Sequence, residues 1–503
     1  MLSLVVAHDT KFGIGKANSL PWKLKKEIRY FKWLTTKSPK GYSQTVDCLN
    51  AVIMGRKTWE SIPQKFRPLP DRLNIVLSRN EKYNTENNNK SIPLTFFAES
   101  LDEGIEFAKD YIPKILIKQL GYIFIIGGAS LYQETFKRPD LKNIYITQIY
   151  QDFHADTFLT TKEEFPTLVE NFNLSTVSNF EEEDGIYFRY FKYQNKDVKT
   201  DIYGENGVIF KNEEEQQYLD LLYKIGLHGI KREDRTGVGT ISTFGEVQKF
   251  NLRDTFPLLT TKRMFFKAIF EELMLYLRGQ TDNKILQEKN IHIWDGNTSR
   301  DFLDKRGLEH YEEGDMGETY GFNFRHFGGQ YQGCSHSYVK GQDGFDQLQN
   351  VIHLIKNNPT SRRIIITLWN PYTEHKAALP SCLCWYQFYV NTYDKTLSLV
   401  INIRSSDFFL ANNWNVCTGA LLVHLLCNLE DIDLTPGDLT VISGDTHLYL
   451  THLEQVRENL ERTPRPFPKL VVSGKKNIED YQYQDVKLIG YNPYPNIKAP
   501  MAV

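Results

Sequence analysis

An α/β domain followed by a larger domain of mixed strands and helices is the fold class the sequence predicts, and three observations predict it. The chain has 503 residues, enough for about two to four domains that each bury a core. Over residues 1–193 short apolar runs alternate with helical stretches, the pattern of strands and helices packed in layers. Residues 194–212 are then polar and aperiodic, which marks a boundary, and a longer alternation runs from a helix beginning at Glu213 to Val503. No internal repeat relates the halves.

Composition bounds the function. With 41% hydrophobic residues, 24% charged residues and a net charge of −2, the chain reads as a soluble globular protein. That balance gives no reason to expect a nucleic-acid or membrane surface. The six cysteines are sparse and lack Cys-x-x-Cys spacing, so reduced thiols are expected. Cys382-Leu383-Cys384 has no second Cys/His pair, and no metal is expected. The first apolar run starts directly after Met1, leaving no room for a leader, so a cytoplasmic location is expected.

In the first half, strands are expected at 2–7, 51–54, 73–77, 122–126, 144–149 and 186–193. Two hydrophilic insertions, 35–47 and 79–91, read as surface loops, the Asn-rich second one mobile. Pro21-Trp22 opens a helix with an apolar stripe of Leu24, Ile28, Phe31 and Leu34, and Glu27 shares that face. A carboxylate there is costly unless it is paired or used, so a structural ion pair and a working acid both fit. Gly55-Arg56-Lys57-Thr58 and Ser78-Arg79 follow strands, and Gly127-Gly128 joins a strand to a helix. Backbone N–H groups at such places can approach a pyrophosphate. One Gly-Gly pair is weak support; three anion-suited sites after three strands are stronger.

Together these residues resemble dihydrofolate reductase. The match runs through Ala7, Ile14-Gly15, Leu20-Pro21-Trp22, Glu27, Phe31, residues 54–62, Arg67-Pro68-Leu69-Pro70, Arg72, Gly127-Gly128 and Ile144-Tyr145-Ile146-Thr147. The resemblance implies a mixed, mainly parallel sheet with flanking helices. It implies that Glu27 binds the pterin amino group and N3 and supports proton delivery to N5, with Thr147 bonded to it. Ala7, Phe31 and Ile62 then line the folate pocket, and Arg72 holds the glutamate α-carboxylate. Ile14, Gly15, Gly55, Arg56, Lys57, Thr58, Ser78, Arg79, Gly127 and Gly128 hold NADPH.

The second half is organised around Cys382, which leads the aromatic-rich strand to Val390. A return strand at 397–404, after the turn Asn391-Thr392-Tyr393-Asp394-Lys395, brings Arg404 and Asp407 back toward the thiol. A free thiol of pKa about 8.5 is only a few per cent ionised at neutral pH. Nearby guanidiniums that supply about 2.7 kcal/mol would lower that pKa by two units; a buried structural cysteine is the competing reading. The loop at 231–240 fits either a phosphate clamp or a solvated turn. Residues 265–277 read as a helix with Ile269, Leu273, Tyr276 and Leu277 on one stripe, Glu272 at its edge and Glu271 pointing away. Arg362-Arg363 precede a buried strand at 364–369 and need an anion, either a phosphate or a neighbouring subunit's carboxylate.

Residues 212–503 resemble thymidylate synthase. The match lies in Asp234 to Thr240, Phe256-Pro257-Leu258-Leu259-Thr260-Thr261-Lys262-Arg263, Ser361 to Ile365, Asp445 to Tyr449 and the ending Lys498-Ala499-Pro500-Met501-Ala502-Val503. The resemblance implies an α+β domain that converts dUMP to dTMP with 5,10-methylenetetrahydrofolate. Cys382 would attack C6 of the uracil, Glu272 organise water for proton transfers, and Tyr320 assist proton removal at C5. Arg235 and Arg404 would bind the phosphate, joined by Arg362 and Arg363 of a second subunit, which makes the protein an obligate homodimer. Ser405, Asp407, Asn415, His447 and Tyr449 complete the nucleotide site; Trp294, Asp407 and Val503 contact folate. Departures cluster here. The family's Pro-Cys-His is Ser381-Cys382-Leu383, its Tyr-Gln is Asn402-Ile403, and its Gly-hydrophobic-Pro-Phe is Ala411-Asn412-Asn413-Trp414.

Both halves in this order resemble the bifunctional dihydrofolate reductase–thymidylate synthase family. One alternative is an active reductase whose slow or inactive synthase half serves as a dimerisation scaffold. Another is a nucleotide- or RNA-binding regulator that uses the arginine cluster.

Overall fold

Residues 1–37, 48–197, 209–234 and 237–500 are described by a computed structural model. They divide into two units, Met1–Phe210 and Lys211–Val503. Among them no helix is long and apolar enough to cross a membrane.

In the first unit the strand Leu2–His8 is buried along almost its whole length. A run that apolar suits a parallel strand covered on both faces. It pairs in parallel with Gln119–Ile125 on one side and Leu141–Ile149 on the other. Cys48–Gly55, Arg72–Leu77 and Thr95–Ala98 extend the parallel part. Ile186–Asn195 closes the other side antiparallel to Leu141–Ile149, with Glu181–Glu183 and Phe172–Val177 paired to it. All six expected strands lie in this nine-stranded, mainly parallel sheet. Phe210 N also donates to Leu174 O, at 2.8 Å.

Two expectations change. The first helix spans Lys25–Thr36 and begins after Leu24 rather than at Pro21. Ile28 is 51% exposed, because it lies just past the edge of the stripe that buries Leu24, Glu27, Leu34 and Thr35. The stretch 79–91 is not a loop but holds the helix Glu81–Asn88. Its asparagines are ties. Asn80 Oδ1 caps the helix by accepting from Tyr83 N. Asn84 donates to Ser78 O, and Asn88 both donates to and accepts from the backbone of Phe97. Of the first insertion, Thr35 and Thr36 end the first helix, and 38–47 lie outside the described residues.

The second unit is built on a six-stranded sheet. Its order is Ile230–Arg232, Thr240–Asn251, Thr435–Tyr449, Thr396–Asp407, Leu383–Asn391 and Ile365–Thr367. Cross-strand register separates its faces. Gln248, Val441, Ile401, Tyr386 and Ile366 form one row, all buried. Val247, Ile442, Asn402, Trp385 and Thr367 form the next, all exposed or half-buried. Alternation of this kind is the period-two signature of a sheet buried on one side. The buried face shares one core with Asn412–Cys427 and Phe266–Leu277. Phe266–Leu277 is buried all round, so Glu271 does not point to solvent; it is buried against Lys289, at 2.5 Å. The strand expected at 364–369 is shorter and only half-buried. It is the sheet's edge, with Ile365 38% exposed between buried Ile364 and Ile366.

Candidate active sites

In the first unit Glu27 is 7% exposed, and no cation stands within ion-pair distance of it among the described residues. Thr147 Oγ1 donates to its Oε1 at 3.4 Å, and Ala7 sits opposite Thr147 in the parallel register. Burial pushes the Glu27 carboxyl up to about 7, against the pull of Thr147. Of the two readings of this buried acid, the structural ion pair finds no cation among the described residues. Trp22, whose role the sequence left open, buries an indole N–H with no partner. Phe31 and Ile62 pack against one core cluster. Arg72 is 2% exposed and lies 5.9 Å from the Phe31 ring. Its Nε donates to Pro70 O at 2.9 Å and its Nη1 to Thr35 Oγ1 at 2.6 Å. No carboxylate of the described residues forms a salt bridge with it; burial lowers its pKa, against the charge of Asp71.

Three parallel strands end together at Gly55, Leu77 and Ile125, the side where ligands bind open sheets of this kind. Gly55 N donates to Gly127 O at 2.8 Å. Gly127 has φ +125°, and a Cβ there would meet Thr58 Oγ1 and the Tyr132 hydroxyl, both at 3.3 Å. A Cβ on Gly128 would also meet Thr58 Oγ1 at 3.3 Å. Only glycine leaves this backbone bare. Arg56, Lys57 and Arg79 are exposed, Ser78 is half-buried, and Ser78 Oγ accepts from Asn80 N. This donor set fits a phosphate-bearing dinucleotide. Ile14 and Gly15 lie in the short strand Gly13–Gly15, paired with Thr157–Phe158.

In the second unit the hairpin forms as expected, with a longer return strand that takes in Arg404, Ser405 and Asp407. Arg404 N donates to Cys382 O at 2.8 Å. Its Nε donates to Ser381 O and its Nη2 to Pro380 O, so the guanidinium grips the backbone leading into the thiol. Cys382 is half-buried. Its N–H donates to the Tyr320 hydroxyl oxygen at 2.8 Å, and burial beside Cys382 raises the pKa of that phenol. Ser405 pairs with Asp445 and Asp407 with His447 across parallel strands, which brings these groups to the thiol's end of the sheet. His447 Nδ1 lies 3.1 Å from Asp445 Oδ1. Asp407 Oδ1 accepts from Phe409 N and Leu410 N. Asn415 and Tyr449 are half-buried, and Arg362 and Arg363 are exposed with no ion pair among the described residues. Arg235 and Val503 lie outside the described residues; Asp234 Oδ1 accepts from Gly239 N in the same loop.

Glu272 is buried, and indoles take both its oxygens: Trp294 Nε1 donates to Oε1 at 2.7 Å and Trp414 Nε1 to Oε2 at 2.6 Å. Sequence reasoning missed the Trp414 contact, which joins residues 142 positions apart.

Residues 1–195 match the family model described as dihydrofolate reductase, and 216–503 match the one described as thymidylate synthase. The chain is similar end to end to three proteins named bifunctional dihydrofolate reductase-thymidylate synthase. The Zea mays protein is 38% identical, over 99% of this chain and 96% of its own. The Paramecium tetraurelia protein is 38% identical over 100% and 98%, and the Leishmania major protein 39% over 100% and 95%. The chain belongs to the bifunctional dihydrofolate reductase–thymidylate synthase family. It is a bifunctional enzyme, with a reductase domain first and a synthase domain second.

Within this bifunctional family the departures near Cys382 prove to be packed. Leu383 and Ile403 are direct cross-strand partners, 2% and 0% exposed, in the domain core. Two polar positions of the family pattern are thus replaced by one apolar pair. Asn402 lies on the sheet's other face, opposite Trp385 and Ile442. Ser381 Oγ is 3.3 Å from Thr319 Oγ1. Asn413 Nδ2 donates to Pro257 O and its Oδ1 accepts from Leu259 N. Restoring histidine alone, as Leu383→His, is expected to cost about 2 kcal/mol by pressing an imidazole against Ile403. Adding Ile403→Gln is expected to recover part of that loss. Urea unfolding of the two single variants and the double variant checks this; strictly additive losses would refute the coupling.

Proposed function

We propose that the synthase domain converts dUMP to dTMP and releases dihydrofolate, and that the reductase domain returns it to tetrahydrofolate. Cys382 attacks C6 of the uracil, with Arg404, Arg235, and Arg362 and Arg363 of a second copy on the phosphate. Asn415 holds the uracil edge, and His447 with Tyr449 the deoxyribose hydroxyl. Tyr320 and water ordered by Glu272 move the C5 proton, and Asp407, Trp294 and Val503 hold the folate. Bound 5,10-methylenetetrahydrofolate supplies the carbon unit and its reducing hydride. In the reductase domain Glu27 and Thr147 hold the pterin and pass a proton toward N5, between the walls of Ala7, Phe31 and Ile62, while Arg72 takes the glutamate carboxylate. Bound NADPH supplies the hydride there; Gly55, Thr58, Gly127 and Gly128 leave room for its pyrophosphate, and Arg56, Lys57, Ser78 and Arg79 suit its further phosphate. Ile14 and Gly15 border the nicotinamide.

The observation that carries this reading is the junction of Cys382 with Arg404, joined by N–H···O bonds at one end of the sheet. Homodimerisation through the synthase domain is supported by the half-exposed sheet face with Val247, Ile365 and Tyr389, and by the unpaired Arg362 and Arg363. Sparse cysteines without Cys-x-x-Cys spacing support a cytoplasmic location. The link between the domains lies after the strand Ile186–Asn195 and before the helix that begins at Glu213, so the sequence-based bounds 194–212 narrow at both ends. The test is to mix protein, dUMP and methylenetetrahydrofolate and follow dihydrofolate by absorbance. Production well above a Cys382→Ala control is expected; production equal to it would leave the second domain without this reaction.

A further inference from the structure

Glu272 sits mid-way along a helix buried on almost every side, yet among the described residues no lysine, arginine or histidine contributes to its environment. The titratable groups that face it are phenols: Tyr276 on its own helix, Tyr320 on Tyr320–Arg325 and Tyr386 on Leu383–Asn391. Burial keeps all three neutral, so none offers a compensating charge. What remains are two indoles from separate elements. Trp294 leads into Asp295–Thr298, and Trp414 stands in the first turn of Asn412–Cys427, directly before Asn415. Each donates to a different carboxylate oxygen, at 2.7 and 2.6 Å.

An indole N–H can only donate, and an ionised carboxylate can only accept. A protonated carboxyl must carry its hydrogen on one of two oxygens that each already face an N–H. The two donors therefore favour the anion against the burial that opposes it, and they fix its plane by two points. We propose that Trp414 is a positioning residue of the synthase reaction: with Trp294 it clamps Glu272 in one orientation and in its ionised, proton-accepting form. The inference rests on the role given to Glu272 above. It also gives the departure at 411–414 a purpose, since a phenylalanine at 414 has no N–H. Burial raises the Glu272 carboxyl, while Trp294, Trp414 and Tyr276 pull it back down.

The sign follows. Removing a donor to the charged form raises the pKa, so the acid limb of the synthase kcat profile moves to higher pH. Trp414→Phe is expected to move that limb up by about one unit, with a much smaller change in the plateau. The dUMP dissociation constant and the thermal midpoint report whether the fold is kept. An acid limb left in place by a folded Trp414→Phe overturns the inference. Glu272→Gln separates the two claims. If it abolishes the limb that Trp414→Phe fails to move, the role of Glu272 stands and the clamp falls. If it leaves the wild-type profile intact, the role of Glu272 falls and takes the clamp with it. Should Trp414→Phe not fold, the wild-type protein with 15N-labelled indoles serves instead. The Trp294 and Trp414 N–H resonances are expected to titrate together, with the midpoint of the kcat limb. A Trp414 resonance that does not move overturns the proposal.

Discussion

Replacing Cys382 by alanine is expected to reduce dTMP formation by more than ~10³-fold while dUMP affinity changes by less than about threefold. Binding and chemistry separate because they use different groups. In the proposed mechanism the nucleotide phosphate meets arginines, and the Arg404 guanidinium is held by the carbonyls of Pro380 and Ser381. In that mechanism only the attack on C6 needs the sulfur. Reductase turnover with NADPH and dihydrofolate is expected to be unchanged, since its residues belong to the other unit. Titration of dUMP by calorimetry beside both assays checks all three. A variant that still made dTMP at near wild-type rate would remove the thiol from the mechanism.

Glu27→Gln is expected to lower reductase turnover by about 10²- to 10³-fold at neutral pH, the range of a lost acid–base group. The same change is expected to stabilise the reductase domain in alkaline buffer. Burial holds the folded carboxyl at about 7, above its ordinary value of 4.5. Between those values the folded state binds more protons than the unfolded one, so stability falls as pH rises and levels off above about 7. The full gap corresponds to about 3 kcal/mol, and glutamine removes it. Urea unfolding of the ligand-free enzyme on either side of neutrality is the check. A structural ion pair predicts the opposite, a loss of stability in the variant. The proposed role of Glu27 would then be held at the expense of stability, as expected where a carboxyl is kept in an apolar wall.

What the sequence made legible follows from how local each signal is. The parallel strands of the first unit stood out because burial on both faces demands an unbroken apolar run, as in Leu2–His8. The hairpin carrying Cys382 and Arg404 stood out because its turn and its alternation lie within one stretch of chain. The helix Glu81–Asn88 did not, because asparagine is a poor helix former and here acts through capping and cross-links to Ser78 and Phe97. Glu271 was misjudged because a two-sided stripe argument assumes solvent on one flank, and this helix has none. Leu383 and Ile403 looked like two separate losses until the register made them neighbours. The Trp414 clamp on Glu272 was invisible, since nothing in the chain announces a contact across 142 positions.

The covalent step can be seen directly. A dUMP analogue with fluorine at C5 presents the same C6 to the thiol, but the ring cannot shed fluorine where it must shed a proton. Attack should therefore stop at a stable adduct. Intact-mass analysis of the wild-type enzyme incubated with this analogue and methylenetetrahydrofolate is expected to show one nucleotide and one folate per chain, mapped by proteolysis to Cys382. An unmodified mass from a preparation that is making dTMP in parallel would contradict the account.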